Sequence, residues 1–203
     1  MSRGKLETRE TPTHTRERIL AATWRLMETR HGQGVRMEDV AHAACVSRQA
    51  VYLHFASRAE LLVATVRYVD ETLRLNERLE EVYAAPRGVD ALEAYVAFWG
   101  HYIPDIYGLA KALLAVRATD GAAAAAWEDR MAGMRAGCRA IIECLERQGA
   151  LAPGWSVDDA AAAFWALLSI AVWEDLTITC GWTLEQYVRH MREVLTRTFV
   201  SEG

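Results

Sequence analysis

The sequence predicts an all-α protein of about nine helices, and three observations carry that expectation. Four prolines interrupt 203 residues, alanine-rich runs recur in the second half, and almost nowhere do apolar and polar residues alternate over the length of a strand. With 52% of residues apolar, the chain has enough material for a real core, either as one large domain or as a small and a large one.

The first helix is expected over residues 15–30, where Ile19, Leu20, Thr23, Trp24 and Met27 form an apolar stripe at helical spacing. His31 and Gly32 end it, and Gly32 and Gly34 offer the positive φ that a sharp exit needs. A short second helix over 37–44 keeps Met37, Val40, Ala41 and Ala44 on one face and Glu38, Asp39 and His42 on the other. After a tight turn, Ser47 is an N-cap for a third helix that buries Val51 and Phe55.

Ser57 and Glu60 read as a capping box opening one long helix, through Leu61, Leu62, Val66, Val69 and Leu73 to about Tyr83. The run Ala85-Pro86-Arg87-Gly88 is the clearest breaker in the chain. Gly100 and Pro104 then divide an aromatic-rich helix over 90–103 from a shorter one over 105–118. Asp120-Gly121 precedes a long helix over 122–148, which Gly149 stops. Ser156 with Asp159 opens a helix to about Thr179, and Thr183 with Gln186 opens the last, to about Val200.

The second and third helices with their tight turn make a helix-turn-helix, and Arg48, Gln49, Tyr52 and His54 are left pointing outward. Such residues suit duplex DNA. Arg and Gln make bidentate contacts to purine edges, whereas Ser, Tyr and His donors go to phosphate oxygens and set the register. Charge agrees: residues 1–58 hold ten Lys/Arg against six Asp/Glu, and residues 59–203 hold thirteen against twenty-one. A basic end on an acidic body is the footprint of a chain that touches a polyanion with one end only.

Val40-Ala41 through Val46-Ser47, Tyr52-Leu53-His54-Phe55, Ser57-Arg58-Ala59-Glu60-Leu61 and, upstream, Arg16-Glu17-Arg18-Ile19-Leu20-Ala21-Ala22 together resemble the N-terminal domain of TetR-family transcriptional regulators. The resemblance covers residues 15–62. Three positions depart from the family pattern: Cys45 stands at a turn glycine, Arg36 at a capping threonine and Arg58 at a lysine. A cysteine in a left-handed turn carries strain on the order of 1 kcal/mol, which leaves the fold expectation standing.

What the resemblance implies is a helix-turn-helix DNA-binding domain over 13–58 and a helical ligand-binding and dimerisation domain over 59–203. DNA contacts are expected from Arg36, Ser47, Arg48, Gln49, Tyr52, His54 and Arg58, on a palindromic operator. The implied function is that of a ligand-responsive regulator, a repressor released by a small apolar or aromatic molecule.

Six of the seven tryptophans lie beyond residue 58, and large rings on separate helices make walls for an apolar cavity. The expected lining is Trp99, Tyr102, Tyr107, Trp127, Trp165 and Trp173, with His101 or Glu174 as polar anchors. A lipophilic cation beside Glu174 and Asp175 is the second choice of ligand. The last two helices carry more apolar surface than one neighbour needs, and in the resembled family this pair forms a four-helix dimer interface; Phe164, Leu168, Val172, Leu184, Val188, Met191 and Leu195 are expected there. The alternative is that all of them face inward.

Two other classes are open. A helical protein-interaction module would not need the outward residues of the third helix. An enzyme would need a site the sequence does not spell: it has no glycine-rich phosphate loop, nucleophile elbow or paired-histidine zinc helix, and neither a metal nor a cofactor is expected. Residues 1–13 read as a short arm without a secretory signal, so the expectation is a cytoplasmic protein with reduced thiols. Residues 160–173, fourteen in number, fall short of the roughly 20 a bilayer span needs, and are expected to be a buried core helix.

Overall fold

The structure, a computed structural model, describes residues 12–29 and 35–201. The expected arm before residue 12 and the glycine turn at Gly32 and Gly34 lie outside the described residues. Ten α-helices follow in order: α1 Pro12–Thr29, α2 Met37–Ala43, α3 Arg48–His54, α4 Arg58–Thr72, α5 Leu75–Tyr83, α6 Gly88–Val116, α7 Gly121–Arg147, α8 Val157–Leu167, α9 Ile170–Glu174 and α10 Leu184–Phe199. A π-helical turn, Asp175–Thr179, prolongs α9. With α8, α9 and the π turn counted as one kinked rod, the described residues hold nine helices. Among them there is no strand, only an isolated antiparallel bridge between Leu151 and Val200.

The starts of these helices obey local chemistry. Ser47, Ser57, Ser156 and Thr183 each accept a backbone N–H three residues on, from Ala50, Glu60, Asp159 and Gln186. At α10 Gln186 also returns a bond to the Thr183 N–H, completing the box. At α4 it is completed differently, because the Glu60 carboxylate accepts the Ala56 N–H instead of that of Ser57. Arg36 gives α2 no side-chain cap; the Asp39 carboxylate takes its backbone N–H at 3.4 Å.

Three boundaries differ from the sequence expectation. The long helix after Ser57 breaks at Arg74, whose φ of 56° is left-handed and starts α5 in a new direction. Conversely, α6 runs unbroken through Gly100 and Pro104. A proline inside a helix costs about 3 kcal/mol, but here Tyr102, Ile103, Ile106 and Leu109 around it are all buried, and that burial outweighs the lost bond. Gly100 serves close packing: a Cβ there would lie 2.7 Å from Val188 Cγ2 on α10. The third difference is the kink at Leu168, after which the Ser169 side chain caps α9.

α6 is the central rod, with α1, α5, α7, α9 and α10 packed on it, while α4 lies between α1 and α7. One continuous apolar cluster reaches from Ile19 to Phe199. The kinked rod Val157–Thr179 corrects the expectation of a wholly buried helix: its most apolar 18-residue stretch has a mean hydropathy of 1.5, yet only 22% of that stretch is buried. By length and composition alone it could cross a membrane. Phe164, Leu168 and Trp173, however, sit inside the core.

Candidate nucleic-acid interface and internal cavity

The helix-turn-helix is built as its residues require. Val40, Val51 and Phe55 are fully buried and lock α2 and α3 together. The turn between them carries Cys45 at φ 54°, the left-handed conformation that its place in the sequence implied. Arg18 on α1 stabilises that turn by donating to the carbonyls of Ala44, at 2.7 Å, and Cys45. Arg16 stacks 5.2 Å from the Phe55 ring on the same side.

What remains outside is the row Ser47, Arg48, Gln49 and Tyr52, all exposed, with Leu53 80% exposed beside them and His54 half-buried. Arg48 leans over the Tyr52 ring at 5.7 Å and stands 4.0 Å from Glu38, so its guanidinium is held near the surface without being consumed. Arg36 is exposed at the start of α2, 3.8 Å from Glu38. Leu53 is absent from the sequence-based set, although its spacing of four from Gln49 puts it on the same face.

Arg58 does not join this row. Its guanidinium donates to the Val35 carbonyl and forms an ion pair with Asp120, the residue that caps α7 through the N–H groups of Ala122 and Ala123. Burial pushes the Asp120 carboxyl up, but Arg58 and those two amides together outweigh it and hold the group below the ordinary carboxylate range. Arg58 therefore joins the start of α2, the start of α4 and the start of α7.

Inside the body is a cavity of about 290 Å³ bounded by α4, α6, α7 and the α8–α9 kink. Its walls are apolar, with Ile103, Leu109, Leu113, Met131, Met134 and Leu168 among them. Of the expected lining residues, Trp99, Trp127 and Trp165 are present. The other five belong elsewhere. Tyr102 is buried in the core and reaches the site only through its hydroxyl, which donates to Asp70 at 2.7 Å. Tyr107 packs against Trp173, ring centres 5.4 Å apart, away from the cavity. His101 is exposed and bonds its own helix at the Ala97 carbonyl. Glu174 pairs with Lys111 at 2.8 Å on the surface, so it anchors nothing inside.

Sequence reasoning missed the charged lining. Arg117, Arg130 and Arg135 lie over Trp127, Trp99 and Trp165 respectively, with guanidinium-to-ring distances of 5.4, 5.2 and 5.3 Å. Arg130 also meets Asp70 at 3.0 Å, both nearly buried. Burial raises the Asp70 carboxyl despite Arg130 and Tyr102, which pull it down. One signal was available: Asp70 falls on the Val66, Val69 and Leu73 stripe of α4, where a carboxylate must find a partner. Among the described residues, no group of three His, Cys, Asp or Glu could hold a metal ion.

The proposed dimer residues are corrected by burial. Phe164, Leu168 and Leu195 are fully buried, and Val188 and Met191 nearly so, within the chain's own core, because one stripe per helix is what packing onto α6 and α7 consumes. Val172 and Leu184 are half-buried. The apolar residues these helices leave outside are others: Ala162, Ala166, Ile178 and Val194.

Residues 19–65 match the family described as bacterial regulatory proteins, tetR family. A 71-residue stretch is 34% identical to the nucleoid occlusion factor SlmA of Alteromonas mediterranea, covering 34% of this chain and 36% of that one. The chain thus aligns with little more than a third of that curated relative. Over nearly its whole length the fold is similar to a putative transcriptional regulator from Saccharomonospora viridis in complex with choline (TM-score 0.73, 19% identity, 94% of this chain and 100% of that one). It is similar also to NalD, the secondary repressor of the MexAB-OprM multidrug efflux pump in Pseudomonas aeruginosa (TM-score 0.72, 22% identity, 95% and 99%).

Proposed function

We propose that this protein, whose residues 19–65 match the TetR family and whose fold is similar to that of solved transcriptional regulators, is an effector-responsive repressor that binds a palindromic operator in the cytoplasm. The observation that carries the reading is the exposed row from Ser47 to Leu53 on a helix whose inward face is locked by Val51 and Phe55. In this reading α1–α3 form the DNA-binding unit. Arg48 and Gln49 meet base edges, Leu53 meets a thymine methyl, and Ser47, Tyr52, His54 and Arg36 meet phosphates.

Two copies are required for a palindrome, because half-sites lie one helical turn, about 34 Å, apart. The face left apolar outside Val157–Thr179 and α10 supports association there. An apolar molecule in the 290 Å³ cavity is the proposed effector. It would act through α7, which is tied to α4 by Arg58–Asp120, Arg67–Asp129 and Asp70–Arg130. A shift of α7 thereby reaches the start of α4, directly behind the recognition helix.

A DNA-binding titration of the wild type against the Arg48→Ala/Gln49→Ala double variant tests the reading. Loss of sequence preference with unchanged helicity supports it. Equal preference in both proteins contradicts it.

A further inference from the structure

The cavity's polar groups are unbalanced in a particular direction. Both acceptors of Asp70 are used: Oδ1 takes the Tyr102 hydroxyl and Oδ2 takes Arg130. Glu128, the other carboxylate of the lining, is paired with Arg135 on the solvent side. The donors are not used up. Nη2 of Arg130 is buried without a hydrogen-bond partner among the described residues. Arg117 adds a third guanidinium that has no carboxylate among the described residues. Arg117 stands at the exposed rim, so the shortage of acceptors inside the site is at Nη2 of Arg130. A buried donor without an acceptor costs about 1–3 kcal/mol.

We propose that the cavity recognises an apolar molecule bearing a single anionic group, a medium-chain or aryl carboxylate, whose head is received by Arg130 at the Trp99 face. This rests on the effector reading above and names the chemistry of that effector. A carboxylate supplies the missing acceptor in the planar geometry a guanidinium prefers, while the tail lies on Ile103, Leu109, Leu113 and Met134. The volume, about 290 Å³, is at the small end of the roughly 300–1,000 Å³ usual for ligand sites, so the molecule is compact. A lipophilic cation fits poorly. The three tryptophan faces that would cage it are already covered by Arg117, Arg130 and Arg135, and neither carboxylate is free.

The carboxylate competes with Asp70 for Arg130, which loosens the innermost of the α4–α7 ties.

The test is calorimetric titration of the purified protein with decanoate, decanol and decyltrimethylammonium. Decanoate is expected to bind about tenfold tighter than decanol, with the ammonium weakest. Arg130→Met should bring decanoate down to the level of decanol. Should that variant fail to fold, Asp70→Asn keeps the shape, frees the guanidinium, and should tighten decanoate binding while leaving decanol unchanged. Decanol equal to decanoate, a preference for the ammonium, or no binding of any of the three overturns the proposal. These titrations contain no DNA. Preferential decanoate binding that leaves operator affinity unchanged supports the ligand class and overturns the effector reading; operator release by decanol alone does the reverse.

Discussion

Arg58 and Asp120, 62 positions apart, form an ion pair that joins the first turn of α4 to the N-cap of α7. Both side chains are about three-quarters or more shielded, at 25% and 20% exposure, so the pair is neither a surface bridge nor a fully desolvated one. Asp120→Ala removes the cap and strands Arg58, and should lower unfolding free energy by roughly 1–3 kcal/mol in urea melts.

The same pair sets an acid dependence. Asp120 has its carboxyl held below the unfolded value of 3.8, so its contribution is complete above that value and is lost as pH falls through the lower, folded one. The stability gap between wild type and Asp120→Asn should therefore be constant near neutrality and close below pH 3.8. A gap that does not change between neutral and acid pH would show that the carboxyl is not perturbed.

The helix-turn-helix was readable because each of its parts has a local cause: the cap at Ser47, the stripe of Val40, Val51 and Phe55, and the tight turn at Cys45. The body was less so. Nothing local marks Arg74 as left-handed, since no glycine stands there, and nothing local tells that α6 will be supported on several sides and so survive Pro104. The cavity was half legible for a related reason. Trp99, Trp127 and Trp165 advertise walls, but Tyr102 and Trp173 have the same signature and fill core instead. Nothing local marks Arg130 and Arg135 as lining residues, and only the packing of α7 against α4, α6 and α8 brings them to the cavity.

The proposed dimer predicts different outcomes for two sets of residues on the same helices. Ala166→Arg, on the outer side of α8, should yield folded monomers by sedimentation. Leu168→Arg buries a charge at a site with no exposure, and should unfold the chain instead of merely separating it. Folded monomers from Leu168→Arg would place that side chain outside the core.

Thiol chemistry offers an independent reading of the packing. Burial pushes the Cys138 thiol up to about 12, so it is protonated near neutral pH. Cys45 and Cys180 are exposed. Iodoacetamide at pH 8 should modify those two within minutes and reach Cys138 only after denaturation, as mass spectrometry of peptides would record. Cys45→Ser should bind DNA as the wild type does, because the turn needs the left-handed backbone and not the sulfur.

Arg48→Ala should relax preference at one base pair in each half-site, costing about 1–3 kcal/mol against the preferred sequence. Tyr52→Phe should weaken all sequences alike. Competition assays with singly substituted duplexes distinguish the two patterns.

The most direct measurement is selection of bound duplexes from a random pool by the purified chain, run in parallel on the wild type and on Arg48→Ala/Gln49→Ala. A two-fold symmetric site with half-sites about 34 Å apart should emerge from the wild type and be lost or altered in the variant. A pool without enrichment, or the same site recovered by both proteins, would contradict the assignment of α3 as the helix that reads DNA.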